Sequence, residues 1–90
     1  MLSIAYTNQF KKDFKKIQKR GLDLKELQKL IELIVNEQPI PAKYKNHKLI
    51  GDYKDVWDCH IKPDWLLLYQ IDEENKEVIF VRTGSHADLF

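Results

Sequence analysis

Ninety residues and 10.8 kDa are enough for one small core and leave nothing for a second, so residues 1–90 are read as a single domain. A hydrophobic fraction of 43% with ten aromatics (four Phe, four Tyr, two Trp) excludes a disordered chain, and a lone cysteine, Cys59, excludes an internal disulfide. The net charge of +1 conceals two opposite halves: residues 1–50 carry 11 Lys/Arg against 5 Asp/Glu, and residues 51–90 carry 4 against 9.

The opening Leu2-Ser-Ile-Ala-Tyr6 alternates with period two, as a half-buried strand does, and Thr7 follows as a helix N-cap. A first helix is predicted from about Asn8 to Arg20. At about 100° per residue, Phe10, Phe14 and Ile17 make a narrow apolar stripe. Lys11, Lys12, Lys15, Lys16, Lys19 and Arg20 occupy the opposite face. Lysines beginning at Lys11 also interrupt any signal-peptide core. Four like-charge i,i+4 pairs on this face cost on the order of 1–2 kcal/mol together, which an anionic partner would offset. Plain solvated surface accounts for them equally.

Gly21 is positioned to stop this helix in the left-handed conformation, and Asp23 with Glu26 reads as a capping box for a second helix. Leu24, Leu27, Leu30, Ile31, Ile34 and Val35 give that helix its apolar face, to about Asn36. The short link predicts an antiparallel helical hairpin. Pro39 and Pro41 end it, and an ordered loop with Tyr44, Lys45 and His47 should run to Gly51. The period then switches to two. Strands are predicted over Tyr53–Ile61, Trp65–Asp72 and Glu77–Thr83, forming a three-stranded antiparallel meander, with the first strand added at an edge or centre. The fold class is α+β, the hairpin covering one face of the sheet. Gly84–Phe90 is read as a short tail. No segment approaches the ~20 apolar residues of a membrane span, and the single thiol fits a reducing, cytoplasmic setting.

His47 lies before the meander, His60 on its first strand beside Val56 and Asp58 on one face, and His86 in the tail. With Asp64 in the turn after His60, these groups can converge at one end of the sheet. Histidines titrate near neutrality, so such a group can take a proton at one atom and give one at another. Attack of a ribose 2′-hydroxyl on its neighbouring phosphate needs both transfers and no metal. No HExxH or paired-cysteine spacing is present, so no metal or other cofactor is expected. Cys59 alternates away from His60 and reads as a buried structural thiol rather than a nucleophile. The three glycines, Gly21, Gly51 and Gly84, are turn punctuation rather than a phosphate loop.

Three blocks, Tyr44-Lys-Asn-His47-Lys-Leu49-Ile-Gly51, Asp58-Cys-His60-Ile-Lys-Pro63-Asp64-Trp65 and Arg82-Thr-Gly84-Ser-His86-Ala-Asp-Leu89-Phe90, together resemble the YafQ branch of the RelE/ParE toxin superfamily. The resemblance covers the whole chain and implies a RelE-like microbial RNase fold. It also implies the toxin of a type II toxin–antitoxin pair, a ribosome-dependent endoribonuclease (mRNA interferase) cutting mRNA in the A site without metal. By position, His47, His60, Asp64 and His86 look like the acid/base group, with His86 as general acid. Trp65 and Phe90 look like base-contacting aromatics, and Arg82 and Lys45 like substrate ligands. The lysine face (Lys11, Lys12, Lys15, Lys16, Lys19, Arg20) would dock on ribosomal RNA. Implied partners are a cognate antitoxin of the RelB/DinJ kind, the ribosome with its A-site mRNA, and operator DNA through the antitoxin complex; no membrane is implied. The pattern departs at Trp57, where relatives often carry arginine. With the sequence stopping at Phe90, the terminal carboxylate is expected near the site. Two alternatives keep the fold: a ParE-like gyrase inhibitor, whose kind lacks this histidine trio, and an inactive antitoxin-binding module.

Overall fold

The computed structural model describes residues 1–50 and 55–90. The strand β1 (Ser3–Tyr6) leads through Thr7 into α1 (Asn8–Lys19), and α2 (Leu24–Val35) follows after a four-residue link. The Thr7 hydroxyl accepts from the Phe10 N–H at 2.9 Å and donates to the Val81 carbonyl at 2.7 Å. One side chain thus caps α1 and ties it to the sheet. Gly21 takes a φ of +74° just after α1, as its stop position requires. Asp23 caps α2 by accepting from the Lys25 N–H at 3.0 Å, one position short of the predicted capping box.

A 3-10 turn (Ala42–Tyr44) and the two-residue strand β2 (His47–Lys48) occupy the stretch read as loop. The sequence carries no period-two run there, because a two-residue strand is too short to show one. The strands β3 (Trp57–Lys62), β4 (Trp65–Asp72) and β5 (Glu77–Gly84) form the predicted antiparallel meander. Among the described residues β3 begins at Trp57, with Asp55 in a positive-φ turn just before it; the expected start at Tyr53 lies outside the described residues. Sheet order is β1-β5-β4-β3-β2, with β1 parallel to β5 at one edge and β2 antiparallel to β3 at the other. The tail is not irregular: Ser85 caps a short helix α3 (His86–Leu89) in a full capping box with Asp88.

The sheet is apolar on both faces, unequally. Its larger face packs Cys59, Ile61, Trp65, Leu67, Tyr69, Val78 and Phe80 against Phe10 and Ile17 of α1 and Leu27, Leu30 and Ile34 of α2. The smaller face gathers Val56, Leu66, Leu68 and Leu89, so α3 is seated through Leu89. Alternation along β3 and β4 follows directly, since successive side chains serve opposite cores. At roughly 25 cal/mol per Å2 of apolar surface, each fully buried Leu or Phe contributes about 1.5–3 kcal/mol. Among the described residues no helix is long and apolar enough to cross a membrane.

Candidate functional site

The β2, β3, the β3–β4 turn and α3 meet at one end of the sheet, and each brings one predicted group. His47 stands opposite Asp58 in the β2–β3 register, and His60 is two residues further along the same face of β3. The His47 and His60 ring centroids are 6.0 Å apart, and those of His60 and His86 are 5.7 Å apart. Asp64, in the turn, accepts from the His86 backbone N–H at 2.9 Å and contacts its Nδ1 at 2.7 Å. These bonds from the His86 backbone and ring hold the Asp64 carboxyl below its ordinary pKa. An ionised carboxylate only accepts, so His86 Nδ1 carries the hydrogen it shares with Asp64. The four residues predicted from sequence are brought together.

The structure adds a fifth group, Asp58. Its Oδ2 lies 3.5 Å from His60 Nε2 and 3.7 Å from His47 Nε2, and Oδ1 is buried without a hydrogen-bond partner. The signal was available in the alternation that puts Asp58 beside His60, but a strand acid reads as a surface residue until the small core behind it is seen. His47 Nδ1 is 2.7 Å from the Lys45 carbonyl, which can only accept. His47 therefore donates there, and its Nε2 faces Asp58. A groove of about 310 Å3 opens beside His60, lined by Glu26, Lys43, Tyr44, Lys45, Lys62 and Pro63 among others. Lys45 is among the residues that line this groove.

Two expectations are corrected and a third is qualified. Trp65 is only 3% exposed and its indole N–H donates to Thr83 Oγ1 at 3.0 Å, so it is a core aromatic rather than a surface for stacking bases. Arg82 donates from Nε and Nη2 to Asp13 at 3.0 Å each, so two of its donors are committed within the fold. Of the basic helix face, Arg20 and Lys16 turn to Asp88: Arg20 grips it bidentately at 2.6 and 3.0 Å, and Lys16 Nζ lies at 3.7 Å. Lys11, Lys12, Lys15 and Lys19 remain on the exposed face. Phe90, 59% exposed, stays at the surface beside α3.

Asp13 was missed although it lies next to the apolar stripe on the helical wheel. Burial pushes its carboxyl up, and the hydrogen bonds from Arg82, Gln9 and the Thr83 N–H together bring it below the ordinary value. Trp57 stacks on Tyr69 at 6.5 Å with Lys48 over its ring, a packing role in place of a charged one. Burial, and next the nearby Asp58 charge, push the Cys59 thiol up to about 12, which leaves no thiolate for nucleophilic work.

Residues 2–90 match the family model described as the bacterial toxin of type II toxin–antitoxin systems, YafQ. The mRNA interferase toxin YafQ of Escherichia coli K12 is 44% identical over 88 residues, covering 97% of this chain and 94% of that one. A metal-bound toxin from Helicobacter pylori superposes with a TM-score of 0.94 at 47% identity, over all of both chains. The toxin in the E. coli DinJ–YafQ complex does so with 0.92 at 43% identity, over 100% of this chain and 99% of that one. The fold, the histidine cluster and these likenesses over nearly the full length agree: the chain belongs to the YafQ family of type II toxin–antitoxin toxins.

Proposed function

We propose that this toxin is an mRNA interferase, an endoribonuclease that cuts mRNA in the ribosomal A site by intramolecular attack of a 2′-hydroxyl. The observation that carries the reading is the meeting of His47, His60 and an Asp64-bound His86 at one sheet end, beside a groove rimmed by Lys43, Lys45 and Lys62. Basic side chains in that groove suit a phosphodiester chain, and they supply no sequence code by themselves.

The chemistry follows from the atoms available. A histidine of the His47–His60 pair takes the 2′-hydroxyl proton, the 2′-oxygen forms a bond to phosphorus, and the bond to the 5′-oxygen breaks. His86 gives its Nε2 proton to that departing oxygen. The products are a 2′,3′-cyclic phosphate and a 5′-hydroxyl, with no water consumed. Asp64 accepts from Nδ1 and fixes the ring, which leaves Nε2 as the atom that donates. General acid catalysis of this kind contributes roughly 10²–10⁴-fold. Phe90 stands exposed next to His86 and completes the site as an aromatic surface for a base.

Silencing requires a partner, and the DinJ-bound relative points to an antitoxin for this chain as well. Grooves of about 480 and 430 Å3 lie along α1 and α2, lined by Tyr6, Phe10, Phe14 and Ile31 with Lys11 and Lys15 at the rim. They suit an amphipathic antitoxin segment with acidic residues at its edge. The test is expression of wild type and His86→Ala in the absence of antitoxin. Growth arrest with shortened transcripts in the first and neither in the second is expected; arrest with intact transcripts would sink the nuclease reading.

A further inference from the structure

We propose that Asn46 is a positioning residue for His47, holding it for proton transfer through a hydrogen bond made on the opposite face of the sheet to the buried Tyr69 hydroxyl. Asn46 Oδ1 accepts from that hydroxyl at 2.6 Å and from the Cys59 thiol at 3.3 Å. Both donors are buried in the larger core. Burial pushes the pKa of each group up, so both keep their hydrogens at neutral pH and donate. The phenol makes the short bond and a thiol is a weak donor, so Tyr69 carries the anchor. His47, the next residue, projects to the other face, where it meets Asp58 and His60.

The segment that carries His47 has little support of its own. The strand β2 is two residues long and lies at the edge of the sheet, paired on one side to β3. Lys45, just before Asn46, holds φ at +46°, a left-handed conformation that a lysine keeps only where its surroundings impose it. Two bonds impose it here. The Lys45 N–H donates to the Ala42 carbonyl at 3.0 Å on one side, and Asn46 is tied to Tyr69 on the other. The peptide clamped between them presents the Lys45 carbonyl that takes the His47 Nδ1 hydrogen at 2.7 Å. In the neutral ring a hydrogen held on Nδ1 leaves Nε2 as the basic atom, and Nε2 is the nitrogen on the side of Asp58. Releasing Asn46 lets the Lys45 carbonyl turn, and the ring loses both its orientation and its preferred tautomer. The anchor stands on these bonds. Its catalytic consequence rests on the nuclease reading, with His47 as the member of the His47–His60 pair that takes the 2′-hydroxyl proton.

Tyr69→Phe removes one oxygen and keeps the ring that stacks on Trp57, Asn46→Ala removes the acceptor, and Asn46→Asp keeps it. Tyr69→Phe and Asn46→Ala should each slow single-turnover cleavage of a defined RNA on programmed ribosomes by roughly 10–10²-fold, with the half-saturating ribosome concentration unchanged. The double variant should be no slower than the slower single one, and Asn46→Asp should retain most of the rate. In long-range nitrogen–proton correlation spectra of the full-length toxin, the hydrogen on His47 Nδ1 should give way to a mixture of tautomers in Tyr69→Phe and Asn46→Ala, while the His86 ring stays as it was. A His47 ring unchanged in both variants would overturn the anchor, whatever the rate does; where Asn46→Ala fails to fold, Tyr69→Phe decides alone. A shifted ring with undiminished cleavage, or a loss confined to the half-saturating concentration, would overturn the catalytic role. A wild-type toxin that cuts no RNA would refute the nuclease reading, while the spectra still decide the anchor.

Discussion

Each carboxylate of the site has a different job because each has a different environment. Asp64 is exposed and bonded to His86, so it orients a ring in water; Asp58 is buried between two rings and shapes a charged pocket. Replacing Asp64 by Asn should keep the fold and lower single-turnover cleavage roughly tenfold, less than the roughly 10²–10⁴-fold loss expected for His86→Ala. Quenched-flow cleavage of a defined RNA on programmed ribosomes would measure both. Cys59→Ala should retain full activity and cost about 1 kcal/mol in urea unfolding, as fits a small buried group. The convergence of the three histidines and Asp64 at one sheet end was legible from residue type and block order. Asp13 and Asp58 were not, since a carboxylate's burial depends on which arginine or histidine the fold brings to it, and those partners are distant in sequence.

At the level of elements, the device that matters is the seat of α3. Ser85 and Asp88 cap it, Leu89 anchors it to the smaller core, and Arg20 reaches across from the end of α1 to hold Asp88. The bonds from Arg20, and then from the Ser85 N–H, hold the Asp88 carboxyl far below its ordinary range. A Cβ added at Gly84, where φ is +156°, would come within 2.9 Å of Asp88 Oδ2. Gly84→Ala should therefore disturb the cap and His86 with it, costing about 1–3 kcal/mol and most of the activity. Arg20→Ala should lower cleavage several-fold with an unchanged circular dichroism spectrum, and Arg20→Lys should recover part of it. The Asp13–Arg82–Thr83 cluster pins α1 to β5. Asp13→Asn should cost about 2 kcal/mol, because a buried N–H and an arginine lose a charged acceptor. Asp13 has a folded-state pKa below its ordinary 3.8, so its stabilisation is complete above that value and is lost as pH falls through the folded pKa. In urea melts the wild type should lose stability below about pH 4, and Asp13→Asn should lose less over the same window. Long helices and strands were legible because their periods run for several residues. The β2 strand and α3 were not, since two and four residues leave no period to read.

Across the whole molecule, the sequence's charge split becomes two surfaces. The exposed lysines of α1 and two of the three groove lysines, Lys43 and Lys45, come from the basic half, whereas the acidic half supplies the three long strands, Asp58 and Asp64. Part of the basic half is neutralised internally through Arg20 and Lys16 on Asp88, which leaves Lys11, Lys12, Lys15 and Lys19 as the outward patch. Changing Lys11, Lys15 and Lys19 to Gln should weaken ribosome binding and flatten its dependence on salt; binding unchanged across 50–200 mM salt, about the range over which phosphate contacts are felt, would make the patch plain solvated surface. The central claim, that the histidine cluster cuts mRNA on the ribosome, is tested most directly by mapping transcript ends by primer extension in a translating extract. New 5′ ends within A-site codons are expected with the wild type and none with His86→Ala. Intact transcripts in an extract whose translation the wild-type toxin has stopped would contradict it.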